Sequence, residues 1–300
     1  MFPLRDTQPR WKTPYVVIAI IALNVIVFFI ELGHSPNDVR FVNLLPWYEE
    51  FGKLPPWTKA SVFFRIFGAR ADRFPISERD YFIIQWGLVP AEFWSGKDLP
   101  PTIPIPIFLV VLTSMFLHGG WFHLIGNMWY LWLFGDNVEW AMGSARFVLF
   151  YVLCGLGAAF TQMAVAPGSM VPMVGASGAI SGVMGAYLVL FPWSRILTLV
   201  PFFFFYYFME LPAVLVLGFW LFIQLFSALG SISMIDLGGV AWFAHLGGFI
   251  TGVLLVFPFK KRWVTPGLVR WWRARRYLSL IHISEPTRPL YISYAVFCLK

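Results

Sequence analysis

The sequence predicts an all-α polytopic membrane protein, a bundle of six transmembrane helices. Three observations carry that prediction. The 300 residues are 59% hydrophobic and only 12% charged, with a mean hydropathy of +0.71, whereas a soluble domain carries roughly 25% charged residues. The apolar residues fall in runs long enough to cross a bilayer. The Lys and Arg residues flank those runs rather than interrupting them.

The elements follow in order. Residues 1–14 are polar and basic (Arg5, Arg10, Lys12) and are expected to be a cytoplasmic N-terminus. Tyr15–Leu32 is a nearly unbroken apolar run without a cleavage-like end, so it reads as an uncleaved first span. Residues 33–106 form a long mixed segment with eight basic and eight acidic residues. Trp47, Trp57, Trp86 and Trp94 in it suit a membrane interface. The expectation is a partly structured loop on the bilayer surface; a small soluble insertion with its own core is the alternative. Further spans are expected near 121–141, 146–166, 177–192, 211–229 and 242–258.

Six spans put both termini on one side. Arg5, Arg10 and Lys12 precede the first span, and Lys260, Lys261 and Arg262 follow the last, with Arg270, Arg273, Arg275 and Arg276 in a basic tail at 263–277. The short loops near 167–176 and 230–241 hold no Lys or Arg. The positive-inside rule then places both termini in the cytoplasm and 33–106 outside. The net charge of +7 is thereby an orientation signal; no basic, aromatic-interleaved stripe points to nucleic acid. Cys154 and Cys298 make neither a disulfide framework nor a metal spacing.

Residues 278–300 stand apart. Plausible codons for Leu278–Arg288 and Ile292–Leu299 resemble the ends of a sequencing-library adapter. The natural sequence is expected to stop or diverge near Tyr277, which removes His282 and Cys298 as candidates.

Polar residues inside spans are costly, so they mark function or pairing. Three places hold them. His118 is followed by His123 and Asn127, which lie four apart on one helix face and can both donate hydrogen bonds. Gly175-Ala-Ser177-Gly178 puts a serine between small residues where a loop turns into a span, with its N–H among the unpaired first donors of a helix. Ala244-His245 opens the last span, ahead of Gly248 and Gly252 on a face suited to close packing. Singly, the first two read better as helix packing, whereas the membrane histidine His245 reads better as functional, with a structural hydrogen bond or a proton relay as its alternative. Together they supply a nucleophile, a base and convergent donors, all toward the same ends of their spans. That is the minimum set for acyl transfer.

This constellation resembles the rhomboid family: HxxxxHxxxN at His118, His123 and Asn127, GxSG at Gly175, Ser177 and Gly178, and AHxxGxxxG from Ala244 to Gly252, in the family's order over roughly 13–262. The resemblance implies a serine endopeptidase acting within the membrane through a Ser177–His245 dyad. It implies an oxyanion hole of His123, Asn127 and the Ser177 backbone N–H, with His118, Gly175, Gly178 and Gly248 in support. It implies single-span membrane proteins as substrates, and neither a metal nor a cofactor. The expected setting is a bacterial inner membrane, with the active site opening outward. A six-span transporter and a partner-binding scaffold are the readings from other classes.

Overall fold

The computed structural model describes residues 1–9, 11–56, 73–202, 205–231 and 240–264. Residues 265–277 of the basic tail, the 278–300 segment and Trp57 lie outside the described residues.

Pro14 directly precedes α1, Tyr15–Gly33, whose 19 residues contain neither proline nor interior glycine. At 1.5 Å per residue it runs roughly 28 Å, close to the thickness of a hydrocarbon core. Its first N–H groups lack a local cap. Glu139 supplies one from another helix, accepting from the N–H groups of Val16 (3.2 Å) and Val17 (3.0 Å) and from Ser144 Oγ (2.7 Å). An anion there also suits the positive end of the helix dipole.

A cap follows α1. In it, β2 (Val39–Val42) pairs antiparallel with β3 (Phe74–Ser77), beside the short helices α2 (Leu45–Phe51), α3 (Glu78–Trp86) and α4 (Pro90–Ser95). Ser77 caps α3 by accepting from the Asp80 N–H at 3.0 Å. Leu44, Trp47, Phe74 and Ile76 are almost wholly buried in a hydrophobic cluster formed by the cap, with Met170 joining it from the chain after α1 and the cap. The described part of 33–106 therefore has the core of a small insertion. Trp47, expected at the membrane interface, is instead in that core, its indole N–H donating to Pro100 O at 2.7 Å. An aromatic-rich segment that can bury its rings against each other does not need lipid to cover them.

The remaining helices are α5 (Ile107–Phe116, part 3-10), α6 (Trp121–Met142), α7 (Ser144–Val165), α8 (Ser177–Leu190), α9 (Ala213–Ser231) and α10 (Trp242–Phe259). Among the described residues, α1, α7, α9 and α10 are each long and apolar enough to cross a membrane. Helices α5 and α6 qualify as a pair bent by 83°, making five. Alone, α6 is too polar, for Asp136, Asn137 and Glu139 are buried within it. The 14 residues of α8 run only about 21 Å.

Two antiparallel sheets correct the all-α expectation to mostly helical. Besides β2–β3, a three-stranded sheet orders β1 (Phe2–Asp6), β4 (Arg195–Phe202) and β5 (Phe205–Pro212) as β1-β4-β5. The physical reason is visible in β4. Ile196 and Thr198 are buried while Arg195 is exposed, a period of two with β-branched residues on the inner face.

Helices α8 and α10 approach most closely through glycine. A Cβ at Gly248 would lie 2.0 Å from Gly178 O, and one at Gly252 would lie 1.9 Å from Gly182 O. No side chain fits between backbones at that range.

Candidate active site

The segment leading into α8 is held from two directions. The Gly175 N–H donates to Ser114 O at 2.8 Å, and Leu88 and Met173 exchange backbone hydrogen bonds of 3.0 and 2.8 Å. The Ala91 N–H of α4 donates to Ser169 O at 3.0 Å. The cap is thereby stitched to the chain just before Ser177. Gly175 has φ +122, a backbone conformation side chains rarely adopt. A Cβ there would also lie 2.8 Å from the His123 ring.

Ser177 is the first residue of α8 and His245 lies in the first turn of α10. Close packing of those helices brings Ser177 Oγ within 2.8 Å of His245 Nε2 across 68 residues of chain. The other ring nitrogen, Nδ1, is 2.7 Å from Gln224 Oε1 of α9. Trp220 lies alongside the imidazole (centroids 6.2 Å) and Trp242 meets it edge-on (6.0 Å).

His118 is fully buried at the bend before α6. Its N–H donates to Glu31 Oε1 of α1 at 2.8 Å, and its Nδ1 lies 3.2 Å from Phe116 O. With the proton on Nδ1, Nε2 accepts from Asn127 Nδ2–H at 3.0 Å. That fixes the amide and leaves its second N–H free to point into the cleft. His123 lies edge-on to His118, ring centroids 5.1 Å apart. His123, Asn127, Ser177, Gln224 and His245 all line one cleft of about 1020 Å³. Gly178 and Gly248 meet behind the serine.

The residues singled out from sequence thus converge on one cleft or its immediate support. Two neighbours went unremarked there, Gln224 and Glu31. Both are polar residues inside apolar runs, the signal already used for the three motifs. Pro90 of α4 also lines the cleft. Near it in the cap, burial pushes the Glu92 carboxyl up to about 8 despite a hydrogen bond from the Leu99 N–H. Asp98 is raised by burial as well. Among the described residues no group of three or more His, Cys, Asp or Glu could hold a metal ion.

A family model described as the rhomboid domain matches residues 108–262, about half of the chain, and spans every residue of the cleft named above except Pro90. The chain belongs to the rhomboid family. Three relatives illustrate the similarity. This rhomboid is 35% identical over 152 residues to RHOMBOID-like protein 6, mitochondrial, of Arabidopsis thaliana, covering 49% of this chain and 42% of that one. It is 30% identical over 167 residues to Rhomboid-like protein 11, chloroplastic, of the same plant (52% and 54%). It is 41% identical over 78 residues to Rhomboid protease GluP of Bacillus subtilis (strain 168), covering 26% and 15%. The aligned part spans about half or less of each relative's length. Family and apolar helices together make this rhomboid an integral membrane protein.

Proposed function

We propose that this rhomboid is an intramembrane serine endopeptidase that cuts single-span membrane proteins with a Ser177–His245 dyad. The observation that carries the reading is the 2.8 Å contact between Ser177 Oγ and His245 Nε2, a nucleophile and a base from separate helices meeting in a cleft.

The chemistry follows from the geometry. Ser177 Oγ–H donates to His245 Nε2, so as Oγ attacks the scissile carbonyl its proton passes to the imidazole. The carbonyl oxygen becomes an oxyanion, stabilised by donors from His123, Asn127 and the Ser177 backbone N–H. Collapse of the tetrahedral species breaks the C–N bond, and His245 returns the proton to the leaving amine. Water from the cleft then attacks the acyl-serine, His245 again taking and returning a proton.

The membrane setting belongs to the same proposal. The short α8 counts as a sixth span, so 15–262 forms one six-span unit with 33–106 as its insertion. Lys260 and Lys261 lie at the end opposite Ser177, where Lys261 N–H meets Ala141 O. This supports cytoplasmic termini, an outward-opening cleft and, in a bacterium, the inner membrane. One relative, the Bacillus subtilis GluP, is named as a rhomboid protease, which supports the activity.

The test is fluorophosphonate labelling of the purified protein, beside cleavage of a single-span substrate in proteoliposomes. Labelling and cleavage that both vanish in Ser177→Ala and His245→Ala support the proposal. A folded wild type that takes no probe and cuts no substrate refutes it.

A further inference from the structure

We infer that Gln224 is the positioning residue of the catalytic base, a neutral third member that holds His245 in the tautomer with its Nε2 free to accept. The inference rests on the dyad reading and concerns a residue outside all three motifs.

The geometry is specific. His245 Nδ1 and Gln224 Oε1 are 2.7 Å apart, and Gln224 is 5% exposed within α9. An imidazole with its proton on Nδ1 donates to Oε1 and presents a lone pair at Nε2, toward Ser177 Oγ. The opposite tautomer would carry its proton on Nε2, facing the serine hydroxyl, and could not take the serine's proton. When His245 becomes imidazolium during attack, Nδ1–H remains a donor, and the hydrogen bond to Oε1 becomes charge-assisted. Serine hydrolases in water commonly place a carboxylate at this point. Here the group is buried among membrane helices, where an isolated ionised carboxylate is costly to desolvate. An amide offers the same acceptor without the charge. Among the described residues, the titratable group acting on His245 through space is His123 of α6.

The position on α9 adds a dependence on helix placement. Val216, Leu217, Gln224 and Ala228 are its buried side chains within the bundle, with Ala213 at its start, while Phe222, Leu225 and Phe226 are exposed. The side chain that orients the base is therefore carried by a helix that packs on the bundle along one face only. The orientation of His245 follows that helix.

The experiment compares the wild-type full chain with Gln224→Leu and Gln224→Glu in proteoliposomes, measuring kcat, KM, the pH profile of kcat/KM and thermal unfolding. Ser177→Ala and His245→Ala are the blanks. In Gln224→Leu, kcat is expected to fall about 10- to 100-fold, the worth of one hydrogen bond to a charged group, with KM little changed. In Gln224→Glu, most of kcat is expected to return at alkaline pH. The acid limb of its profile is expected to move to higher pH, because an anion beside the imidazole favours its protonated form. A wild-type rate in folded Gln224→Leu overturns the inference. So does a parallel loss in both variants with an unmoved acid limb, which marks a structural role only. If wild type itself shows no activity dependent on Ser177 and His245, the dyad reading fails first and the inference falls with it.

Discussion

Adding one methyl group at Gly248 tests whether helix packing sets the geometry of the proposed dyad. A Cβ there would lie 2.0 Å from Gly178 O and 2.9 Å from Gly178 C, whereas ordinary contact begins near 3.4 Å. The atoms in the way are backbone, so no side chain can rotate aside. Relieving the shortfall from 2.0 to 3.4 Å means moving α8 and α10 apart by about 1.4 Å if the whole strain is taken there. His245 lies three residues from Gly248, one turn along the same helix. A separation of about 1 Å would stretch the 2.8 Å Oγ–Nε2 contact past hydrogen-bonding range. Displacements of that size in a catalytic pair cost roughly 100-fold in rate, and overpacking costs about 1–3 kcal/mol of stability. Gly248→Ala is therefore expected to remain folded and lose about 100-fold in kcat for a single-span substrate. The control is Gly218→Ala on α9, where nothing lies within 4 Å, expected to match wild type. Folded Gly248→Ala that turns over within about threefold of wild type would refute the reasoning, because the helices would have absorbed the methyl without disturbing the dyad.

Two further predictions concern the proposed oxyanion donors and the cap. Asn127→Ala should lower kcat about 100- to 1,000-fold, and His118→Leu should lower it less, since Asn127 stays but loses the Nε2 acceptor that orients it; equal losses in cleavage assays would argue against the indirect role. Glu92, pushed up to about 8 from an ordinary 4.5 by burial, should destabilise the cap as pH rises. Below about 4.5 it is protonated in folded and unfolded chains alike, and stability is unaffected. Between about 4.5 and 8 the unfolded chain releases the proton while the folded one keeps it, so stability falls across that window. Glu92→Gln should match wild type at pH 4 and be more stable by on the order of a few kcal/mol above pH 8; a difference in thermal unfolding that does not vary with pH would exclude this.

Much of the helical frame could be read from apolar run lengths. The run from Tyr15 and the one opening at Trp242 fall within a residue or two of α1 and α10, because dry surroundings force backbone groups to pair within the segment. The strands were hidden for a related reason. Arg195–Phe202 is apolar overall, and its period of two shows only once Ile196 and Thr198 are known to face inward. The motif residues stand out because polarity in a span is rare, yet Gln224 and Glu31 meet the same criterion and belong to none of the three motifs. What brings Gln224 to His245 is the rotation of α9 about its own axis. That depends on packing between helices and leaves no trace in spacing along one chain. Trp47 was misplaced because a tryptophan in an aromatic-rich loop has the same composition whether lipid or protein covers it.

Helix α8 is roughly a third shorter than the hydrocarbon it sits in, and Ser177 begins it. At its far end Tyr187, Leu190 and Phe191, with Phe134 edge-on to Tyr187, are each at most 3% exposed. On the proposed reading, water that reaches Ser177 would meet these packed side chains at the other end of its helix. A hydrolase built as proposed here would draw its water from one side of the membrane only, and the energy stored as a transmembrane gradient would be left intact.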